Sequence, residues 1–256
     1  HGGMDHGGMD MAPGGIPLAE GGEDRDGLEM DVLHVTLGPV LPCWPAGLVL
    51  ECSLQGDVIV DASARLVDGP PAHQPDGGDR WEPGEPEVAA AALACDQAAR
   101  MLALIGWPDR TAQLLRLRDE LLDAAGAPGP SAGESRRRLA ARVDETRDAL
   151  ARSRLLRWSL RRLGVVDAAP LAEQGLPPHL HGDARDRLLA LLDRVAAALR
   201  SDVDTVPDPT APDPAALSAA AVGDLVTGLD LAAARLVVAS LGIEAAGITA
   251  VEVARA

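Results

Sequence analysis

The stretch that most restricts the fold is LVLECSLQ, residues 48–55. Leu48, Leu50, Cys52 and Leu54 fall on one parity; Val49, Glu51, Ser53 and Gln55 fall on the other. Alternation with period two is the pattern of a strand with one buried face. Gly56-Asp57 follows as a two-residue turn, where glycine reaches positive φ at no steric cost. Val58-Ile59-Val60 begins the return strand and Ser63 to Val67 continues it, so a hairpin is predicted over 48–65. Leu28 to Leu37 reads as a further strand, stopped by Gly38-Pro39. Nearly everything after Glu87 reads as helix. The fold class is therefore α+β, a small N-terminal antiparallel sheet packed against a mostly helical bundle.

That core is built without Phe or Tyr, and Trp44, Trp81, Trp107 and Trp158 are the only aromatic residues. Leu, Val and Ala do the packing. The formal charge of −16 argues against nucleic acid, whose binding depends on neutralising phosphates, and equally against anionic membrane surfaces. Cys43, Cys52 and Cys95 show no CxxC spacing, so neither a disulfide framework nor a cluster site is signalled. Cys52 lies on the apolar parity and reads as a small buried thiol. No apolar run approaches the ~20 residues of a membrane-spanning helix. The chain begins at His1, which leaves room for a preceding segment or signal peptide.

The composition divides the chain into a flexible His/Met- and Gly-rich tail (1–27), the sheet (28–68), a linker (69–86) and a helical bundle (87–203). A Pro-rich linker (204–214) and a C-terminal helical segment completing the bundle (215–256) follow; 243–253 is open between helix and strand. In the first linker His73 reads as solvated and Trp81 as a lid over the sheet. Helices are predicted from Glu87 to Trp107 and from Pro108, with Leu114, Leu117, Leu121 and Leu122 as its stripe. A third runs from Gly133 to Leu163, its stripe Leu139, Val143, Thr146 and Leu150, then Leu155, Leu156, Leu160 and Leu163. Ten arginines between Arg136 and Arg162 make it basic. They either dock on an acidic neighbour or form a solvated face relieved by Asp144, Glu145 and Asp148.

A loop from Asp167 to Asp183 is expected next, and His179 and His181 within it lack the further ligands that a metal site requires. Asp183 reads as the N-cap of a helix with Leu188, Leu189, Leu192, Val195 and Leu199 inward. A last helix from Pro214 to Leu241 includes Leu225, Leu229, Leu236 and Val237.

Two stretches are candidates for chemistry. The tail repeats HGGMD, and His1, Met4, His6, Met9 and Met11 form a candidate copper ligand set, since thioethers favour Cu(I) and imidazole suits copper in either state. The loop between the predicted strands brings Val40, Leu41, Cys43 and Trp44 together as a candidate apolar pocket, where Trp44 could stack on a flat ring. No dinucleotide loop, GxSxG or HExxH is present, and no catalytic residue is assigned.

The order of several short phrases resembles the hydrogenase-like large subunit of respiratory complex I (NADH-quinone oxidoreductase). The phrases are Gly38-Pro39, Pro42, Ala46-Gly47-Leu48 and Leu54 to Ala62. Leu160 to Gly182 is similar to the family's Arg-x-Arg-Gly-x-Gly-Val segment and the loop after it. Gly182-Asp183-Ala184-Arg185-Asp186-Arg187 looks like the Gly-Asp-x-x-Asp-Arg opening of its next long helix, and Trp107 to Leu121 is a looser match. The departures lie at the chemistry. Val40-Leu41 stands where the family has Gln-His, Pro45 falls near its second His, and no Tyr exists. The resemblance implies a shortened, degenerate relative: a non-catalytic structural or accessory component of an oxidoreductase-type complex with no cofactor of its own. It implies respiratory subunits as partners and a cytoplasmic location, held to the membrane through a partner. Two alternatives stand beside it: a copper-binding or copper-responsive protein acting through the tail, and a quinone-site subunit of a reduced NADH-quinone oxidoreductase.

Overall fold

The computed structural model describes residues 20–23, 29–67, 86–125, 132–173, 176–200 and 219–243. Four strands form one antiparallel sheet in sequence order: β1 (Glu20–Glu23), β2 (Glu29–Leu37), β3 (Leu48–Gln55) and β4 (Val58–Leu66). β1 lies within the stretch expected to be flexible tail. Its sequence, EGGE, has no apolar alternation; it is a strand because the open edge of β2 supplies backbone partners, Glu20 opposite Val32 and Glu23 opposite Glu29.

β3 behaves as its alternation predicts. Leu48, Leu50, Cys52 and Leu54 are all buried, and Val49 is buried as well. The return strand is less simple. Ser53 pairs with Asp61 but Leu54 pairs with Ile59, so Val60 has no opposite number. This bulge reverses the parity of β4. Ile59 faces the core before it, and Ala62, Ala64 and Leu66 pack against the same core after it.

The helices are α1 (Pro86–Ile105), α2 (Pro108–Ala125), α3 (Ala132–Arg152), α4 (Arg154–Ser159), α5 (Ala168–Glu173), α6 (Ala184–Arg200), α7 (Ala219–Val226) and α8 (Leu231–Ser240). Leu102, Leu114, Val143, Leu150, Leu156 and Leu192 belong to one core, shared by α1, α2, α3, α4 and α6. A second core joins the sheet to α7 and α8 through Leu50, Ile59, Val222, Val226, Val237 and Val238. The C-terminal helices therefore do more than complete the bundle: they cover the sheet. Ala239 of α8 belongs to the first core, so α8 links the two. α7 lies directly on β4, because a Cβ at Gly223 would stand 2.4 Å from the Ala62 carbonyl oxygen.

Both long helices expected from periodicity are broken. Ser153 interrupts the third: its Oγ accepts from the Leu156 N–H at 3.2 Å and starts α4 as a new N-cap. Leu139, Val143, Thr146 and Leu150 are buried as the stripe requires, as are Leu156 and Leu160. Leu155 is not; it is 73% exposed. The last helix is interrupted after Val226. The Gly228 N–H donates to the Ile59 carbonyl and the Ile59 N–H to the Leu229 carbonyl, both at 2.8 Å. The turn is thus clipped onto the hairpin. Asp230 then caps α8, accepting from the Ala233 N–H at 2.8 Å.

The expected loop at 167–183 contains α5 and a 3-10 turn, Pro178–Leu180. Paired Val166 and Gly182 backbones close it. The expectations for residues 1–19, 68–85 (with His73 and Trp81), 204–214 and 244–253 lie outside the described residues. Among the described residues no helix is long and apolar enough to cross a membrane.

Candidate functional site

The β2–β3 connection, Gly38 to Gly47, is built around one indole. Trp44 is 5% exposed, and its Nε1–H donates to the Leu48 carbonyl at 2.8 Å. Gly38 permits this. Its φ is +86°, and a Cβ there would lie 2.0 Å from the Leu48 oxygen and 2.7 Å from Trp44 Nε1. The Gly47 N–H donates to the Pro39 carbonyl at 3.2 Å and closes the loop. From α8, Arg235 Nη2 donates to the Pro42 carbonyl at 2.9 Å.

The four residues of the predicted pocket occupy three different surroundings. Val40 is 93% exposed. Leu41 packs against the sheet core, to which Trp44 belongs. Cys43, at φ +56°, lines a cleft with Pro45, Gln97, Arg100, Ala239, Gly242 and Ile243. The cleft's volume is about 10 Å³, room for about one water. Trp44, with its face packed and its N–H used, is part of the scaffold.

The other two thiols are buried. Burial pushes Cys95 up to about 12, and burial with the nearby Asp61 carboxylate pushes Cys52 up, so both are neutral at pH 7. Among the described residues no group of three or more His, Cys, Asp or Glu side chains is placed to hold a metal ion. His181 is exposed. His179 lies 3.4 Å from Arg194 Nη1; burial first, and that guanidinium second, lower its pKa to about 4.

The Gly-Asp-x-x-Asp-Arg phrase ends on Arg187, to which the sequence gives no role, and among the described residues it is the most deeply buried charge. Arg187 of α6 is 1% exposed. Its Nε donates to Ser240 Oγ at 2.8 Å, and its Nη1 donates to the Gly182 carbonyl at 2.7 Å and, at 3.4 Å, to that of Leu180. Desolvation lowers its pKa to about 10, which leaves it cationic at pH 7. The helix start that positions it is a reciprocal cap. Asp183 Oδ1 accepts from the Arg185 and Asp186 N–H groups, and Asp186 Oδ2 accepts from the Asp183 N–H at 3.1 Å. A signal was present: Arg187 stands beside Leu188 in the apolar stripe of α6, where a solvated arginine has no place.

The loop at 38–47 is thus closed on Trp44, two thiols are buried, and a buried arginine joins α6 to α8. No family model and no curated protein sequence matches the chain. Its fold does match. It superposes, with a TM-score of 0.56, on a chain in the structure of the membrane-bound sulfane sulfur reductase (MBS), an archaeal respiratory membrane complex. The match covers 82% of this chain and 96% of that one, at 11% identity. The chain thus resembles in fold a subunit of a respiratory membrane complex.

Proposed function

We propose that this protein is a structural or accessory subunit of a respiratory oxidoreductase-type complex, a shortened relative of the hydrogenase-like large subunit of complex I, and not a catalyst on its own. The observation that carries the reading is the fold match to a respiratory-complex chain over 82% of the residues. The phrases shared with the complex I family occur in the same order and fall at structural joints. Gly38-Pro39 opens the loop under Trp44, and Gly182 to Arg187 forms the cap and buried anchor of α6.

The loop chemistry supports a non-catalytic role. Quinone reduction consumes protons, which a donor near the carbonyl oxygen has to supply. Where the resembling family presents imidazoles, this loop presents the solvent-exposed Val40 and the half-buried Leu41. The proposal includes no intrinsic redox cofactor, and attachment at the cytoplasmic face of a membrane through partner subunits.

The test is an absorbance spectrum of the purified protein for flavin or iron–sulfur bands, then a quinone-reduction assay with the neighbouring gene products added. No bands and no turnover dependent on this loop are expected. Turnover abolished by Cys43→Ala, with folding intact, would move the active loop to residues 39–46 and favour a quinone-site subunit. A separate copper-binding role is proposed for the tail, on the repeated HGGMD sequence.

A further inference from the structure

The arginines of the basic region fall into two groups. Those of α3 are satisfied within the chain. Arg142 pairs with Glu120 of α2, and Arg147 with Asp193 of α6 at 3.0 Å. Arg138 pairs with Glu134 and Arg152 with Asp148, one turn away. The acidic neighbour that a basic helix calls for is thus mostly this protein's own surface.

Past Ser153 the pattern ends. Arg154, Arg157, Arg161 and Arg162 are exposed, and among the described residues none of their guanidinium groups has an ion-pair or hydrogen-bond partner. Between them stand Leu155, 73% exposed, and Trp158, 79% exposed. Spacing i,i+3 puts these two on one face of α4. Leu156 and Leu160 hold the opposite face in the core. α4 and the turn after it therefore expose an indole, a leucine and four arginines whose guanidinium groups are unpaired among the described residues.

We infer that this face of α4 is the docking surface for an acidic partner protein subunit, an inference that rests on the reading of the chain as a component of a complex. Trp and Arg are the side chains that concentrate binding energy at protein interfaces. Charge complementarity names the partner's chemistry: an acidic rim around an apolar pocket that accepts Trp158. A second copy of this chain fits poorly. In a two-fold dimer through α4 the arginine-rich face of one copy would meet the same arginine-rich face of the other. A bilayer fits poorly too, because the apolar part of this face is two side chains on a helix of 6 residues, little area to bury among lipids.

The test places a photo-reactive benzophenone residue at Trp158 of the full chain in its source cells. The cross-linked protein is then identified, purified and titrated against the unmodified chain. The expected result is a different chain whose binding weakens with salt. Trp158→Ala and Leu155→Ala each reduce its affinity by roughly 30-fold or more. Val40→Ala, a change at a still more exposed apolar residue, leaves it unaltered. Replacing Arg154 and Arg161 by Ala flattens the salt dependence. Thermal melts that superimpose on the wild type show that these surface variants fold.

Cross-links only within or between copies of this chain overturn the inference, as does their complete absence. So does binding to phosphatidylglycerol vesicles that Trp158→Ala abolishes, or a partner that Trp158→Ala binds as tightly as the wild type does. A confirmed partner from outside any respiratory complex leaves the docking surface standing and overturns the proposed function. A respiratory partner indifferent to Trp158→Ala does the reverse.

Discussion

Arg187 and Ser240 are 53 residues apart in sequence and joined by a 2.8 Å hydrogen bond in a site closed to solvent. The bond ties α6, from the helical core, to α8, which covers the sheet. Ser240 Oγ passes the connection on by donating to the Val237 carbonyl at 2.6 Å. Gly164 lies against the guanidinium: a Cβ there would stand 3.2 Å from Arg187 Nη2, an atom with no hydrogen-bond partner among the described residues.

Removing the anchor should therefore cost more than one hydrogen bond. Arg187→Ala leaves a cavity and takes a donor from the Ser240 hydroxyl and from the Gly182 and Leu180 carbonyls, and should lower stability by about 3 kcal/mol in urea melts. Ser240→Ala, which removes both hydrogen bonds of the hydroxyl and leaves the buried charge its carbonyl contacts, should cost about 1–2 kcal/mol. Arg187→Met fills the space without a buried cation and should be milder than Arg187→Ala. Equal stability of all three variants and the wild type would mean that the two cores are coupled elsewhere.

His179 should make stability depend on pH. Its folded pKa is lowered to about 4 against 6.5 for the free side chain. Between those values the unfolded chain binds a proton that the folded one does not, so stability falls as pH drops from 6.5 to 4 and levels off below. Because the ring is partly open to solvent, the loss expected is about 1 kcal/mol rather than the full linkage value. Denaturant melts at pH 7 and pH 4 check this: His179→Gln should flatten that part of the slope, and an unchanged slope would assign it to other groups.

Two leucines give a direct contrast. Leu50 is fully buried on the sheet and Leu155 is 73% exposed on α4. Leu50→Ala should cost roughly 2–5 kcal/mol. Leu155→Ala should stay within about 0.5 kcal/mol of wild type. A loss below about 0.5 kcal/mol for Leu50→Ala would mean that α7 and α8 do not cover the sheet.

For the tail, a peptide of residues 1–12 is expected to bind Cu(I) through His1, Met4, His6, Met9 and Met11. Its affinity under reducing conditions should exceed that of the same peptide with every Met changed to Leu. Matching affinities would remove the thioethers from the ligand set.

The sequence by itself determined the hairpin, the buried parity of β3, the α6 cap at Asp183 and the stripe of α3. Each is written within a few residues, as a period of two, an N-cap residue or three-four spacing. It did not determine where periodicity gives way. The bulge at Val60 follows from pairing with β3, the turn at Gly228 from hydrogen bonds to Ile59, and β1 from an open sheet edge. Nor did it separate Leu155 from Leu156, since both fit the stripe until Ser153 restarts the helix. The loop at 38–47 was readable as a turn and as a cluster of apolar residues. Only tertiary packing decided that Trp44 closes inward on Leu48 while Trp158 faces out. A local pattern fixes which side of an element is apolar, but what covers that side depends on partners far away in the chain.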